Sequence, residues 1–441
     1  MKVLKFGGTS VGSAQRIKDV VELITKRGKN IVVLSAMSGT TNTLVEISDY
    51  FYKKNLTGAK ETINMLEAKY RATVEDLYAT DEYRAKAWQA IEECLGFIRS
   101  FSKPIFTLFE EKEILAQGEL MSTALMINYL HERGINAAML PALEFMRTDK
   151  NAEPDMQYIT DKINELLQEN SDADLYITQG YICKNAYGET DNLQRGGSDY
   201  TASLIGAAVK AEEIEIWTDI DGMHNNDPRF VENTQPVGEL HFEEAAELAY
   251  FGAKILHPTC VLPAKLNNIP VRLLNPMQPE DHGTLIYNTR PTRKIKAVAA
   301  KDNITAIKIK SSRMLLAYGF LRKVFEIFET HRTSIDMIVT SEVGVSVTID
   351  NERNLHQIIE DLKKFGTVTV DRDMVIICVV GDLEWQNRGF EADVINALHD
   401  IPVRMISYGG SNYNISLLVK ASDKVRALNL LSAQLFETKP E

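Results

Sequence analysis

Continuous apolar runs alternate with amphipathic stretches through the first two-thirds of the chain. Runs such as residues 30–35 (NIVVLS) are typical of strands buried on both faces of a parallel sheet. Strands are predicted at Val3–Phe6, Asn30–Ser35, Ala137–Leu140, Leu175–Gln179, Ile214–Asp219 and Val271–Leu274. Helices are predicted at Ala14–Lys26, Tyr158–Glu169, Asp199–Lys210 and Phe242–Phe251, with a long helical stretch from about Thr43 to His131. This alternation predicts an α/β sandwich with a mainly parallel sheet.

A segment that contains several prolines and glycines, residues 275–294, ends this pattern, and its end is predicted to be a linker. Beyond it, the order strand–helix–strand–strand–helix–strand predicts a ferredoxin-like unit, and the same order then begins again. The strands are predicted at Ile304–Ile309, Ser334–Val339, Gly344–Ile349, Thr367–Val370, Val375–Val380, Val403–Tyr408 and Ile415–Val419. The helices are predicted at Gly319–His331, Leu355–Phe365, Phe390–His399 and Lys424–Leu435. The second copy lacks its last strand, and the run Ile295–Ala300 precedes the first, so we expect the copies to share strands.

Composition limits the classes of function. The chain has 441 residues, enough for about three domains, and we expect them at residues 1–294, 295–373 and 374–441. Its net charge of −12 makes nucleic acid an unfavourable partner. We expect no membrane span, because no apolar run is long enough. Four scattered cysteines, with neither a CxxC pair nor a secretory signal, predict a cytoplasmic protein without a zinc site or other resident metal.

The first candidate for chemistry is the run Lys5–Ser10 (KFGGTS), which follows the first strand. Gly7 and Gly8 let the backbone approach an anion closely, and Lys5 adds a positive charge near a helix start. The run therefore suits a phosphoryl group, although it is not a Walker loop, because GxxxxGK[ST] is absent. An ordinary strand-to-helix turn with a surface lysine is an equal alternative for the motif taken alone.

A second glycine pair occurs in the run Arg195–Thr201 (RGGSDYT), at a predicted helix start. Gly196, Gly197 and Ser198 form a candidate anion nest there. Arg195 offers a fork for a carboxylate or phosphate, and Asp199 could orient a lysine or a metal. The alternative is a capped helix with Ser198 as its N-cap, which would not account for the Arg-Gly-Gly sequence.

Three further runs carry polar groups: Trp217–Gly222 with Asn226–Arg229, Phe251–Pro258, and Gln117–Glu119 with Ser35–Asn42. Taken alone, each run also has an explanation without a functional role: an ordinary turn at Asp221, a solvated Lys254 and a solvent-exposed Glu119. Together, the glycine nests, the cations and the carboxylates suggest a site that neutralises charge, and no histidine-based triad is visible. Phosphoryl transfer to an acceptor that is already ionised needs such a site.

These motifs together resemble the aspartokinase family, in its monofunctional, lysine-sensitive form. The motifs stand in the family's order and cover essentially the whole chain: KFGGTSV (5–11), GELMST (118–123), RGGSDYTA (195–202), WTDIDG (217–222), DPR (227–229) and FGAKILHP (251–258). The resemblance implies an amino-acid-kinase fold, with an aspartate lobe at about 1–190 and a nucleotide lobe at about 191–290. Two regulatory ACT units would follow.

The resemblance also implies roles for single residues. Lys5 and Asp199 would be catalytic, with Lys5 stabilising the transferring phosphoryl group. The aspartate substrate would contact Thr41, Glu119, Arg195, Gly196, Gly197 and Ser198. Glu119 would hold its ammonium and Arg195 its α-carboxylate. ATP, with Mg²⁺, would contact Lys5, Gly7, Gly8, Thr218, Asp219, His224, Arg229, Lys254 and Ile255. His224 stands where the family has a tyrosine, which leaves its role open.

Regulation is also implied by the resemblance, with lysine as the expected effector. The matching positions are Met314, Gly319, Phe320, Leu321, Ser334, Asp336, Thr340, Ser341, Glu342 and Val343. Asp336 and Glu342 would bind the ammonium groups of lysine. The alternative is that both residues are surface charges at strand ends. The chain would act first on the route to lysine, threonine and methionine, as a homodimer through its ACT units or as a tetramer. A kinase for another amino acid and a non-catalytic sensor remain the alternatives.

Overall fold

The structure is a computed structural model that describes residues 1–101, 105–193, 196–252, 258–289, 292, 294–311, 314 and 318–436. The chain forms two compact units. Residues 1–223 and 255–288 form the first, and residues 224–254 and 289–441 form the second. No helix in the described part of the chain has the length and apolarity needed to cross a membrane.

The first unit is built on a mainly parallel sheet, as predicted. Its strands are β1 (Lys2–Phe6), β2 (Asn30–Leu34), β3 (Ala137–Leu140), β4 (Leu175–Gln179), β7 (Ile214–Trp217), β9 (Val271–Leu274) and β10 (Thr284–Tyr287). Their order is β3-β4-β2-β1-β7-β9-β10, and only β10 runs antiparallel to its neighbour within this set. All five residues of β2 are buried, as expected for a strand covered on both faces. A short antiparallel hairpin, β5 (Ile182–Lys184) and β6 (Thr190–Asn192), lies beside this sheet.

Helices cover this sheet and supply most of its core. They are α1 (Ala14–Thr25), α2 (Thr40–Tyr52), α3 (Leu56–Leu77), α4 (Asp81–Ser100), α5 (Leu108–Glu132), α6 (Ala142–Phe145), α7 (Met156–Glu169), α8 (Gly197–Val209) and α10 (Pro258–Leu266). The long helical stretch predicted from the sequence is four helices, α2 to α5. Thr80 and Thr107 accept backbone hydrogen bonds at the starts of α4 and α5, so these breaks carry ordinary N-cap residues.

The second unit contains one six-stranded antiparallel sheet instead of two separate ones. Its strands are β11 (Ile295–Lys310), β12 (Ile338–Ser341), β13 (Gly344–Ile349), β14 (Thr367–Gly381), β15 (Met405–Tyr408) and β16 (Asn414–Lys420), in the order β12-β13-β11-β14-β16-β15. The helices are α9 (Phe242–Tyr250), which follows strand β8 (Glu239–His241), and α11 (Phe320–Thr330), α12 (Leu355–Lys363), α13 (Phe390–Ala397) and α14 (Lys424–Leu435).

Two long strands, β11 and β14, run through both ferredoxin-like copies. The first half of β11 pairs with the second half of β14 (Lys301 opposite Ile376), and its second half pairs with the first half of β14 (Lys308 opposite Thr369). Each strand has a left-handed residue at its midpoint, Asn303 at φ 60° and Asp373 at φ 55°. The register shifts at the same place, so a bulge marks the boundary between the copies.

Several predicted boundaries are wrong for local reasons. The strand predicted at Ser334–Val339 is β12, which begins four residues later at Ile338. The segment of prolines and glycines before residue 294 contains β10, which the composition did not reveal. The hairpin β5–β6, strand β8 and helices α6 and α10 were not predicted either. Four of these elements, β5, β6, β8 and α6, have only three or four residues, too short for a periodic pattern.

Candidate active site

A cavity of about 610 Å³ lies at the carboxyl ends of the central parallel strands. Ligands bind at this edge in open α/β sheets because loops and helix N-termini converge there. The cavity is lined by Lys5, Gly8, Ser35, Ala36, Met37, Ser38, Gly39, Thr41, Asn42, Glu119, Tyr181, Gly196, Gly197, Ser198 and Asp199. The structure therefore brings together motifs that are almost 200 residues apart in the sequence.

Lys5 is at the end of β1 and forms an ion pair across the cavity. Its Nζ lies 2.6 Å from Oδ1 of Asp199, which is in the first turn of α8. Both side chains are nearly buried, with 11% and 14% of their surfaces exposed. The alternative of a surface lysine is therefore wrong, and Asp199 holds a cationic group in place beside the cavity.

Gly7 and Gly8, which follow β1, allow the backbone there to pack closely against the segment after β2. A Cβ on Gly8 would lie 2.8 Å from the carbonyl oxygen of Ala36, closer than real contacts allow. Gly8 also accepts a hydrogen bond from the backbone N–H of Ser38. A Cβ on Gly7 would lie 3.6 Å from the Nζ of Lys5. Larger side chains at this turn would fill the space next to the ammonium, where an anion would bind.

Two helices begin at the cavity without side-chain caps. Gly39 is the N-cap of α2 at φ 79°, and Gly196 is the N-cap of α8 at φ 76°. The N-cap of α8 is therefore Gly196, and the expectation that Ser198 caps it is wrong. Since glycine has no side chain to bond the first-turn N–H groups, these helix starts can face an anionic ligand. Thr41 and Ser198 lie in these first turns, beside the cavity.

Glu119 provides a buried carboxylate in the middle of α5. The residue is 3% exposed, so the alternative of a solvent-exposed glutamate is wrong. Its Oε1 accepts a hydrogen bond from the N–H of Ala36 at 3.2 Å, whereas its Oε2 has no partner within the described part of the structure. Burial raises the pKa of Glu119 to about 8. A carboxyl group in this position can accept a cationic ligand, which would restore its ionised form.

The sequence analysis missed Tyr181, which also lines the cavity. It adopts a left-handed backbone at φ 67°, and its N–H donates to Oγ1 of Thr201. Burial raises the pKa of its hydroxyl to about 12, so the group stays protonated and can donate a hydrogen bond. Its position just after β4 could have identified it, because residues that follow parallel strands lie at the same edge of the sheet as Lys5.

The residues predicted for nucleotide binding are not all around this cavity. Thr218 and Asp219 follow the end of β7, the strand next to β1, and Thr218 is anchored by a backbone hydrogen bond to Leu274. His224 and Arg229 belong to the second unit. There His224 contacts Oγ1 of Thr234 through Nδ1, at 2.9 Å, and Arg229 pairs with Asp227 at 2.6 Å. Arg195, Lys254 and Ile255 lie outside the described residues.

The residues predicted for regulation lie in the second unit, around the start of α11 and the strands β12 and β13. Gly319 is the N-cap of α11 at φ 78°, and Phe320 and Leu321 begin the helix. The side chain of Asp336 is only 1% exposed, so it is not a surface charge. Met314 and Ser334 lie before α11 and β12, Thr340 and Ser341 end β12, and Glu342 and Val343 form the turn to β13.

Asp336 already has cationic and hydroxyl partners within this unit. The Nζ of Lys301 lies 2.6 Å from its Oδ1, and the hydroxyl of Tyr250, at the end of α9, donates to the same oxygen at 2.9 Å. Lys301 also pairs with Asp350 at 3.0 Å and lies over the ring of Tyr250. The Oδ2 of Asp336 is buried without a partner among the described residues, and burial raises the pKa of Asp336.

Comparison with known proteins agrees with this geometry. Residues 1–275 match the model of the amino acid kinase family, and residues 377–435 match an ACT domain. Lysine-sensitive aspartokinase 3 of Escherichia coli is 33% identical over 99% of both chains. The chain belongs to the aspartokinase family.

Solved structures extend the similarity to the fold. Escherichia coli aspartokinase III in complex with aspartate and ADP is 32% identical, with a TM-score of 0.84 over 99% of this chain and 100% of the other. The same enzyme in complex with lysine and aspartate gives a TM-score of 0.81 at 33% identity, over the same shares of the two chains. The amino-acid-kinase-like fold followed by ACT units is therefore confirmed.

Proposed function

We propose that this chain is an aspartate kinase, which transfers the γ-phosphoryl group of ATP to the side-chain carboxylate of L-aspartate. The observation that carries the proposal is the cavity that contains both the Lys5–Asp199 pair and the half-satisfied Glu119. A cation for phosphates and a buried carboxylate for an ammonium are what an amino-acid kinase requires. In the family, one relative was solved with aspartate and ADP.

The reaction needs no general base in this site. The side-chain carboxylate of aspartate has a reference pKa of about 3.9, so it is an ionised nucleophile at neutral pH. Its oxygen attacks the γ-phosphorus, the bond to the β–γ bridging oxygen breaks, and 4-phospho-L-aspartate and ADP are formed without a proton transfer. The obstacle is repulsion between anions, which the ammonium of Lys5 and the two helix N-termini reduce.

The residues divide between the two substrates. Glu119 takes the ammonium of aspartate, and that cation lowers the pKa of Glu119 and returns it to the carboxylate form. Thr41, Ser198 and the backbone of Gly196 and Gly197 position its carboxylates, together with Arg195. ATP lies on the side of Gly7, Gly8, Thr218 and Asp219. The nucleotide contacts of His224, Arg229, Lys254 and Ile255 stay predictions from the family resemblance.

Mg²⁺ would be bound together with ATP. Among the described residues, no cluster of three or more His, Cys, Asp and Glu side chains could hold a metal ion. The nucleotide phosphates would therefore supply its main ligands, and the ion would offset part of their negative charge. Lys5 adds the protein's own positive charge to the same phosphates.

The test is a coupled assay of ADP release with wild type and Glu119→Gln. The proposal expects release that depends on L-aspartate, and a rise in KM for aspartate, with much less change in KM for ATP, in the variant. Asp19→Asn, on the exposed face of α1, is the control. Equal release with N-acetylglutamate or glutamate would favour another kinase of this fold, and equal changes in both KM values would contradict the role of Glu119.

Lysine is the effector that the second unit suits best. Asp336 offers a carboxylate before β12 and Glu342 offers one after it, which suits a ligand with ammonium groups. The ammonium of lysine competes with Lys301 for Asp336. Displacement of Lys301 would rearrange this region and break the hydrogen bond from Tyr250 to Asp336. Lysine inhibits if it binds this rearranged state more tightly than the active one.

Titration of activity with lysine tests this regulatory proposal. Inhibition at millimolar lysine is expected for wild type and is expected to weaken in Asp336→Asn. Arg353→Gln, an exposed position before α12, serves as the control. If wild type resists lysine, or if Asp336→Asn is inhibited as strongly, the regulatory site is elsewhere, and the assignment as an aspartate kinase is unaffected.

A further inference from the structure

The segment between β2 and α2 forms one wall of the active-site cavity. Residues 35–39 of this segment line the cavity, and so do Thr41 and Asn42 in the first turn of α2. A tight turn joins the two parts, because the N–H of Thr40 donates to the carbonyl oxygen of Met37 at 2.9 Å. A site built on such a loop keeps its geometry only if neighbouring residues hold the loop in place.

Two backbone hydrogen bonds hold the first part of this wall. The N–H of Ala36 donates to Oε1 of Glu119 at 3.2 Å, and the N–H of Ser38 donates to the carbonyl oxygen of Gly8 at 3.0 Å. Neither bond includes Gly39 or Thr40, where α2 begins. The helix start is therefore held by another element.

That element is α3, through two consecutive residues. The ammonium of Lys69 donates to the carbonyl oxygen of Ser38 at 2.5 Å and to Oγ1 of Thr40 at 3.4 Å. The hydroxyl of Tyr70 lies 3.2 Å from the same Oγ1, and both Tyr70 and Thr40 are fully buried. Neither Lys69 nor Tyr70 lines the cavity, so both act on the turn 38–40 from outside it.

The charge of Lys69 is costly at this position. The side chain is partly buried, which lowers its pKa, and no carboxylate in the described part of the chain offsets this effect. Lys69 also lies at the N-terminus of α2, where the helix dipole disfavours a cation. A Cβ on Gly39 would lie 4.0 Å from its Nζ, so the ammonium is next to a residue that lines the cavity. An anion bound in the cavity would offset both costs.

We propose that Lys69 is a positioning residue for the aspartate substrate, a role that rests on the proposed aspartate kinase function. It fixes the turn 38–40 and so places Thr41 and the first N–H groups of α2 for a substrate carboxylate. Its charge favours that carboxylate at the helix start, and the substrate supplies the anion that Lys69 lacks. Tyr70 supports the same turn through Thr40.

Steady-state kinetics of ADP release, with each substrate varied in turn, test this role. In Lys69→Met, KM for aspartate should rise about tenfold, because a charge and its hydrogen bonds are lost, while KM for ATP changes less than about twofold. Lys69→Gln keeps a hydrogen-bond donor without the charge and should raise KM for aspartate to a similar extent. Lys69→Arg keeps the charge and should stay within about threefold of wild type. Lys60→Met, at an exposed position of α3, is the control and should match wild type.

The variants also show which results contradict the proposal. An unchanged KM for aspartate in Lys69→Met, or equal rises in KM for both substrates, would reject a role on the aspartate side. Wild-type behaviour of Lys69→Gln would show that the charge is not needed, and so would a rise in Lys69→Arg as large as in Lys69→Met. A lower Tm with unchanged KM values would leave Lys69 with a purely structural role. Absence of aspartate-dependent ADP release in wild type would instead contradict the kinase assignment, so the two failures are distinguishable.

Discussion

Lys5 and Glu119 are buried at the active-site cavity although each is a charged residue type. Burial of such groups costs free energy unless a partner compensates for it. Lys5 has Asp199 as its partner, whereas Glu119 has one hydrogen bond and a raised pKa. The two residues therefore differ in what their removal would do.

Replacement of Lys5 is expected to affect turnover more than binding. In Lys5→Ala, kcat should fall by about 10²–10³, because the lost charge acts mainly on the transferring phosphoryl group. KM for aspartate should change little. Steady-state kinetics measure both, with Lys60→Ala on the exposed face of α3 as the control. A folded Lys5→Ala protein with nearly normal kcat would contradict the proposed role.

Replacement of Glu119 is expected to change the pH dependence of stability. Its pKa is about 8 in the folded chain and about 4.5 when unfolded. Between these values the folded state keeps a proton that the unfolded state has released, so the free energy of unfolding falls as pH rises. Glu119→Gln removes this slope. The variant should have a Tm close to that of wild type near pH 5 and a Tm several degrees higher near pH 8, in the absence of substrate.

A difference in Tm that stays constant between pH 5 and pH 8 would contradict the raised pKa. Glu113→Gln, another glutamate of α5, is the control. The same comparison in saturating aspartate should reduce the advantage of the variant, since the substrate ammonium favours the ionised carboxylate in wild type.

The walls of the cavity depend on how closely neighbouring elements approach. Gly180 follows β4, and a Cβ at this position would lie 2.6 Å from the Cβ and Oγ of Ser198 in α8. Gly118 of α5 likewise faces Ala36, with a hypothetical Cβ at 2.9 Å. Small residues therefore let the strand ends and the helix starts meet at the site.

Gly180→Ala should displace Ser198 and the start of α8. We expect KM for aspartate to rise about tenfold, which corresponds to roughly 1.4 kcal/mol of lost binding, while far-ultraviolet circular dichroism stays as in wild type. Gly96→Ala is the control, because its Cβ would meet nothing within 4 Å. If KM for aspartate is unchanged in Gly180→Ala, Ser198 does not contact the substrate.

The ion pair between Lys301 of β11 and Asp336, two residues before β12, leads to a further prediction. In Lys301→Met, the carboxylate of Asp336 loses the internal ammonium that competes with the effector. The lysine concentration for half-inhibition should therefore fall, by about tenfold. Lys308→Met, on the same strand and without an ion pair among the described residues, should behave as wild type. A higher concentration for half-inhibition would show that Lys301 assists lysine instead of competing with it.

The parts of the fold that the sequence could predict are those with a strong periodic pattern. β3, β4, β9 and β13 were predicted with their observed bounds, because each is a short apolar run between polar turns. Asp336 shows why other parts could not be predicted. Its partners Lys301 and Tyr250 are 35 and 86 residues away, and only the tertiary fold brings them together. The burial of Glu119 was likewise invisible, because one helical glutamate looks the same on either face.

Several apolar side chains are exposed on the first ACT unit. Leu321 and Phe325 lie one turn apart on α11, and Val343 lies in the turn between β12 and β13, all at least 37% exposed. An exposed apolar patch of this kind favours burial against a second chain. This supports the prediction of a homodimer through the ACT units.

Light scattering during size exclusion tests the dimer. Wild type should elute with twice the chain mass of 49.6 kDa. Phe325→Asp should shift the mass to that of one chain, because a charge would have to be buried in the interface. Leu266→Asp, at another exposed apolar position, should remain dimeric. A monomeric wild type would contradict the homodimer, and twice that dimer mass would favour the tetramer.

Strands β11 and β14 limit how the regulatory region can be exchanged between related enzymes, because both ACT copies depend on them. The second ACT copy borrows the first half of β11 from a segment that precedes the first copy. A cut at the boundary near residue 373 would therefore leave the second copy with an incomplete sheet and the first half of β11 without its partner strand. Hybrid enzymes that take a new effector response from a relative should transplant the two copies as one cassette, with a junction before Ile295. Recombination in nature would be under the same constraint, so the pair should be inherited as a single module.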